Sequence, residues 1–355
     1  MKNRITFLDG HRGLAIILVL LYHAYARWSD IVPYGEQFSG FPLFKYGWLG
    51  VNLFFLISGF VILMSLEKCG GIKEFLTRRW LRLFPAMLIC SVIIYATAGS
   101  FPERPSGSPT PWSLLPGLTF IEPSWWSALT GYAVKPLEGA FWSLFVEFKF
   151  YVFAALIYYW KGRNTLFAFL LSAFALYVLS DVARKHGGGP AVVVLNELFH
   201  TLSFETFSWF ASGAAFYVFF KTREFKWWIF GLCLAIAGPL GFQQQAAGRL
   251  VAATAVSLTF ALTMYVPALR VPFDTRVLQF LGYVSYPLYL VHENMMIATV
   301  IKIGREFAFI PRFVLPFIPI AMLVALAYFI VRYIEPRAHA LISRALVGRI
   351  APVAS

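Results

Sequence analysis

Arg12 and His23 are the first residues in this chain whose types and spacing suggest chemistry. They flank the apolar run Leu14-Ala-Ile-Ile-Leu-Val-Leu-Leu-Tyr22 and lie eleven positions apart. On a helix that separation is about 16 Å of rise and close to three turns, so both fall on one face. The spacing predicts Arg12 near one membrane edge and His23 near mid-depth. A charged side chain at that depth costs roughly 2.5–3.5 kcal/mol, and even a neutral imidazole needs a partner. Two readings fit the spacing equally well. One is a histidine that only hydrogen-bonds helices together. The other is a histidine that takes a proton from a hydroxyl or accepts an acyl group as a transient acyl-imidazole.

Three further groups stand where chemistry is possible. Glu147 lies in an apolar stretch beside Lys149, but residues two apart point away from each other on a helix, so Glu147 needs another partner. Arg78, Arg79 and Arg82 are spaced i,i+3 and i,i+4, just before an apolar span beginning near residue 83. They serve either as a positive anchor or as a fork-shaped phosphate site at a helix N-terminus. Arg12 is able to share that work or to hold a carboxylate such as Asp9. Between Tyr283 and His292, Pro287 bends an apolar segment and frees backbone carbonyls. Tyr286, Tyr289 and His292 then either line an acceptor path or simply brace a kink. Ser58, in Ile57-Ser-Gly-Phe60, lacks a nucleophile-elbow context and reads as a small residue allowing close helix packing.

The elements that must position these groups are transmembrane helices. The 355 residues are 59% hydrophobic and 13% charged, whereas a soluble domain carries about 25% charged residues. Apolar segments of spanning length fall at 13–29, 46–66, 83–101, 141–160, 165–181, 203–220, 227–242, 249–265, 280–301 and 313–334. The expected fold is therefore an all-α polytopic membrane protein of about ten helices. It forms a single domain over 1–355, with spans from about 7 to 334 and a short tail at 335–355. Roughly two-thirds of the 30 Lys and Arg, among them Lys2, Arg4 and Arg349, fall on the side of the N-terminus, which places both termini in the cytoplasm. The opening residues also outline a signal peptide. Asp9, His11, Tyr25 and Arg27 are poor company for cleavage, so the helix is expected to stay.

The net charge of +13 fits this topology or an anionic cytoplasmic substrate, and no nucleic-acid signature accompanies it. Cys69, Cys90 and Cys233 have no metal or disulfide spacing and read as packing residues. The longest connection, about 101–139 on the outer side, carries many prolines together with Trp112, Trp125 and Trp126. Ordered loops of that length are usually functional. Its aromatic rings suit either a sugar or the membrane interface. Lys185-His-Gly-Gly-Gly-Pro190 reads as a flexible outer turn, not a phosphate loop, because no strand precedes it.

Five stretches in order resemble the acyltransferase-3 family of integral membrane acyltransferases. They are Leu8-Asp-Gly-His-Arg12-Gly-Leu-Ala with Tyr22-His23, Gly47-Trp-Leu-Gly-Val-Asn-Leu-Phe-Phe-Leu-Ile-Ser-Gly-Phe60, Arg78-Arg-Trp-Leu-Arg-Leu-Phe-Pro85, Phe141-Trp-Ser-Leu-Phe-Val-Glu-Phe-Lys-Phe-Tyr151 and Leu281-Gly-Tyr-Val-Ser-Tyr-Pro-Leu-Tyr-Leu-Val-His292. The resemblance implies transfer of an acyl group, acetyl above all, from cytoplasmic acyl-CoA to a carbohydrate hydroxyl at or beyond the outer face of a bacterial inner membrane. It implies a catalytic group of His23, Arg12 and Glu147, with Glu147 orienting His23 or the acceptor. Arg78, Arg79 and Arg82 would hold the coenzyme A phosphates, and Trp142, Tyr286, Tyr289 and His292 the acceptor. Acetyl-CoA would be a co-substrate, with no resident cofactor and no metal. Lys149 stands where the family more often has Gln or an apolar residue. A proton-coupled transporter using His23, Glu147 and Lys149 as a relay is the competing reading, although no internal repeat supports it. The sequence leaves the acceptor, the acyl-chain length and the oligomeric state open.

Overall fold

The computed structural model describes residues 5–243 and 246–347. Lys2, Arg4, Arg349 and the end of the expected tail lie outside them. Among the described residues the secondary structure is helical throughout, with no strand. The longer helices are α1 (Thr6–Tyr22), α2 (Gly50–Leu66), α3 (Ile72–Thr97), α4 (Trp142–Lys185), α5 (Pro190–Thr201), α6 (Phe207–Thr222), α7 (Phe225–Ala237), α8 (Ala247–Tyr265), α9 (Arg276–Glu306), α10 (Phe317–Phe329) and α11 (Glu335–Val347). Six helical stretches are long and apolar enough to cross a membrane: Thr6–Arg27, Gly47–Leu66, Ile72–Ser100, Gly139–Lys185, Ala247–Tyr265 and Phe317–Ala345. They give the chain the character of a multi-pass helical membrane protein, since a helix satisfies its own backbone in lipid. Helices α6, α7 and α9 answer to three more of the expected spans but are shorter or more polar.

The chain folds into two compact units. One gathers the residues up to Ala15 with Trp48–Leu76 and Val146–Gln279, the other Ile16–Gly47, Thr77–Phe145 and the chain from Phe280. In the first unit α2 lies along α6, α6 against α7, and α7 against α8. Small residues make the first of these crossings possible. A Cβ on Gly59 would stand 2.0 Å from the Phe210 carbonyl oxygen, and one on Gly213 1.9 Å from that of Leu56. Membrane helices lack a hydrophobic force between them and associate through such close contact. Within α4, Gly162 has φ 80° and ψ −171°, which breaks the run into the two helices expected at 141–160 and 165–181.

Helix boundaries differ from the hydropathy reading at two places that matter for function. α1 begins at Thr6, seven residues before the expected span, because its polar opening is buried and satisfied inside the first unit. Arg12 pairs with Asp9 at 3.2 Å. His11 lies flat against Phe273, ring centres 3.9 Å apart, and shares its Nε2 with Thr263 Oγ1 at 3.2 Å. The helical stretch ends at Arg27, so His23 sits four residues from its end and not at its middle. α3 likewise begins at Ile72, so the arginine cluster occupies its second and third turns instead of a helix N-terminus.

The α2–α6 crossing yields a stability test. Gly213→Ala is expected to cost about 1–3 kcal/mol through overpacking and to lower the thermal midpoint of the purified protein. Gly71→Ala, where a Cβ would meet nothing within 4 Å, is the matched control. Equal midpoints for the two variants would contradict the close crossing.

Candidate active site

His23 opens a π-helical turn, His23–Arg27, at the end of α1. Such wide turns release carbonyls from the regular ladder and recur at functional sites. Here His23 Nδ1 meets the Val19 carbonyl oxygen at 3.0 Å. The turn is braced from behind by aromatic rings. Tyr25 stacks between Phe44 and Phe313 at 4.5 and 5.5 Å and donates its hydroxyl to the Phe313 carbonyl at 2.5 Å. Tyr34 donates to the Ala24 carbonyl. The His23 side chain keeps 12% exposure.

Helix α9 brings the partners. His292 Nε2 lies 3.3 Å from His23 Nδ1, and His292 Nδ1 lies 2.7 Å from the Tyr289 carbonyl oxygen. A carbonyl only accepts, so each Nδ1 that faces one carries the proton. His292 Nε2 is then an acceptor for His23 Nδ1–H, and in the neutral ring the lone pair of His23 falls on Nε2. That nitrogen faces Glu293 Oε1 at 3.6 Å. The other oxygen of Glu293 accepts from the Ala140 backbone N–H at 2.6 Å. This approach requires Gly139, where a Cβ would stand 2.9 Å from that same oxygen.

Behind Glu293 the network continues into the segment that precedes α4. Asn294 donates from its backbone N–H and from Nδ2 to Glu138 Oε2, at 2.9 and 2.7 Å. Arg104 donates to the Leu137 carbonyl at 2.8 Å and approaches Glu138 Oε1 at 3.8 Å. Burial pushes the Glu138 carboxyl from its ordinary 4.5 up to about 8, helped by the Glu293 charge and opposed by the Asn294 hydrogen bonds and Arg104.

The expected site residues divide between the units. His23, Arg78, Arg79, Arg82, Trp142, Tyr286, Tyr289 and His292 belong to the second, Arg12 and Glu147 to the first. Glu147 accepts from Ser58 Oγ at 2.5 Å, which gives Ser58 a polar role that the packing reading did not foresee. Lys149 donates to the Thr201 carbonyl at 2.6 Å and to Ser203 Oγ at 2.9 Å, so it closes the chain end after α5. Arg78 and Arg82 are exposed, whereas Arg79 is buried. Tyr289 donates to the Ala140 carbonyl at 2.9 Å and meets Ser143 Oγ at 2.7 Å, while Tyr286 donates to the Leu83 carbonyl at 3.0 Å. Trp142 is half exposed. Glu293, Asn294, Glu138 and Arg104 were not anticipated. The available signal was a carboxylate in an apolar helix, one residue beyond the last matched motif, which on cost alone marks a functional position.

The profile of the acyltransferase domain of the acyltransferase-3 family matches residues 5–332. O-acetyltransferase OatA of Staphylococcus aureus strain NCTC 8325 / PS 47 is 30% identical over 208 residues, covering 51% of this chain and 31% of the relative. OatA of strain COL matches to the same extent. The chain thus spans about a third of the length of the curated relatives it matches. No solved structure matches it.

The raised Glu138 carboxyl predicts a pH dependence of stability. Because the folded form holds its proton up to about pH 8 and the unfolded form releases it near 4.3, the stabilisation is complete below the lower value and lost as pH rises towards the upper one. Thermal midpoints measured from pH 4.5 to 8.5 should fall more steeply for the native chain than for Glu138→Gln. Parallel curves would show that Glu138 is ionised throughout.

Proposed function

We propose, from the premise that the chain belongs to the acyltransferase-3 family, that it transfers an acetyl group from acetyl-CoA to a hydroxyl of a cell-surface or lipid-linked carbohydrate. The observation that carries the mechanism is the setting of His23, whose Nδ1 is held by Val19 and His292 and whose Nε2, the lone-pair nitrogen of the neutral ring, faces Glu293. As a base, Nε2 takes the proton of the acceptor hydroxyl while that oxygen attacks the thioester carbonyl. The C–O bond forms and the C–S bond breaks, and the proton passes from the imidazolium to the departing thiolate. Glu293 offsets the positive charge while it exists. In the second route the same nitrogen attacks the thioester, the C–S bond breaks and the thiolate departs; the acceptor hydroxyl then takes the acetyl group as the C–N bond breaks, and its proton ends on the thiolate. Both routes need Nε2 unprotonated at the start.

The remaining roles follow the family. Arg78 and Arg82, four residues apart and both exposed on α3, suit the phosphates of coenzyme A, with Arg79 supporting them from inside the unit. Arg12 holds Asp9, and Glu147 with Ser58 positions donor or acceptor. The chain crosses a bacterial inner membrane ten times with both termini in the cytoplasm, a topology supported by its excess of Lys and Arg on that side.

Protein in liposomes with labelled acetyl-CoA and an acceptor glycan should yield covalently labelled glycan. Unmodified glycan crossing the bilayer with no transfer of label would instead mark a transporter. His23→Ala should lower transfer by about 10²–10⁴-fold while folded protein stays in the membrane. Glu293→Gln should lower kcat about 10²-fold with the KM for acetyl-CoA little changed, and should shift the lower limb of the pH–rate profile. A Gln variant with native kcat would remove Glu293 from the mechanism.

A further inference from the structure

The segment joining α3 to α4 forms a partly open cavity of about 170 Å³, room for five or six waters at about 30 Å³ each. Its polar lining comes from Arg104, Lys135, Ser106, Ser108, Thr110 and Ser113, and among its lining residues no carboxylate appears. The charge of the cavity is therefore positive and its other polar groups are hydroxyls and backbone.

Arg104 is unusual for such a place. It is only 5% exposed, yet its Nε has no hydrogen-bond partner among the described residues. Its nearest carboxylate oxygen, Glu138 Oε1, stands at 3.8 Å, beyond hydrogen-bond distance, and is itself unpartnered. The Arg104 Nη atoms donate to the Ile94 and Leu137 carbonyls, but the buried Nε–H has nothing to donate to among the described residues, a cost that an anion in the cavity would relieve. Protonation of Glu138, favoured by its burial, leaves the Arg104 charge still more exposed to such a ligand.

An aromatic pair adjoins two of the lining residues in sequence. Trp112 and Tyr132 stack at 6.2 Å with planes 12° apart. Both are exposed, and each is next in sequence to a lining residue, Ser113 and Ala133. Exposed flat rings beside a cluster of hydroxyls and cations match a ring-shaped, hydroxylated ligand that carries a negative charge. The cavity also connects to the reacting histidine. Its wall residue Leu137 is followed by Glu138, which holds Asn294, and by Ala140, whose N–H holds Glu293 opposite His23.

We propose that this cavity, lined by Arg104, Lys135 and four hydroxyl side chains with Trp112 and Tyr132 adjoining its lining residues in sequence, binds an anionic sugar unit of the acceptor and so anchors the acceptor on the His23 side of the reaction. Its role as acceptor anchor rests on the acyltransfer reading; its ligand class does not. One carboxylate or phosphate substituent meets the Arg104–Lys135 pair, the neighbouring sugar hydroxyls meet Ser106, Ser108, Thr110 and Ser113, and a ring face lies against the aromatic pair.

The test uses the full chain in nanodiscs with Cys233→Ser, since Cys233 is the exposed thiol and Cys69 and Cys90 are buried. Ser108→Cys then places a reactive thiol in the cavity wall, and its rate of maleimide labelling is followed with methyl glucuronide, methyl glucoside or inorganic phosphate present. Methyl glucuronide should protect the thiol at concentrations roughly tenfold below methyl glucoside, the difference expected from one charge-assisted contact. Adding Lys135→Gln, an exposed position whose loss the fold tolerates better than that of Arg104, should erase most of that preference. Equal protection by the two sugars, protection by phosphate alone, or a preference unchanged by Lys135→Gln would each overturn the proposal. Acetyl transfer measured on the same nanodiscs separates the two readings. Protection without transfer would retain the cavity and remove the reaction, and transfer without protection would do the reverse.

Discussion

The pair formed by His23 and Glu293 is the constraint around which the second unit is organised. An ionisable group buried in an apolar helix is tolerated only with a partner, and removing one member of such a pair is far more costly than never having it. Each feature around the pair answers this requirement. The Val19 carbonyl one turn back holds His23 Nδ1, the Tyr289 carbonyl fixes the tautomer of His292, and the close approach at Gly139 lets a backbone N–H reach Glu293. The outcome is an imidazole whose Nδ1 is held by a carbonyl and whose Nε2 faces a buried carboxylate.

The segment leading into α4 does more than connect two spans. Its carboxyl-terminal end supplies the Ala140 N–H and Glu138, so the position of Glu293 depends on how this segment is held. Arg104 pins it by donating to two carbonyls, those of Leu137 and Ile94, at 2.8 and 3.3 Å. A cavity wall and the support of Glu293 beside His23 are therefore built from the same few residues.

Much of the helical framework was legible in the sequence because its signals are local. Composition and hydropathy report the solvent around a helix, and motif order reports the family. Boundaries were less legible where polar residues are buried. The opening of α1 reads as a basic flank until Asp9 and Arg12 are seen to pair and His11 to stack on Phe273. Lys149 had no account from spacing because its partners, Thr201 and Ser203, lie some fifty positions away. Ser58 read as a packing residue for the same reason, with Glu147 as its distant acceptor. The buried Arg79 between exposed Arg78 and Arg82 could not be sorted by i,i+3 and i,i+4 spacing, which relates neighbours on a helix without saying what lies opposite them.

By itself, then, the sequence determined the all-helical membrane class, the order of the motifs and the candidacy of His23. All of these rest on side-chain type and on separations of a few turns. Only the tertiary structure decided which carboxylate stands beside His23. Glu293 follows His292 directly, yet it lies 270 positions from His23 along the chain, and no periodicity relates residues so far apart. The same holds for the tautomers, which depend on which carbonyl each ring nitrogen meets. Those contacts are set by helix packing and by a widened turn, and a linear pattern of residue types encodes neither.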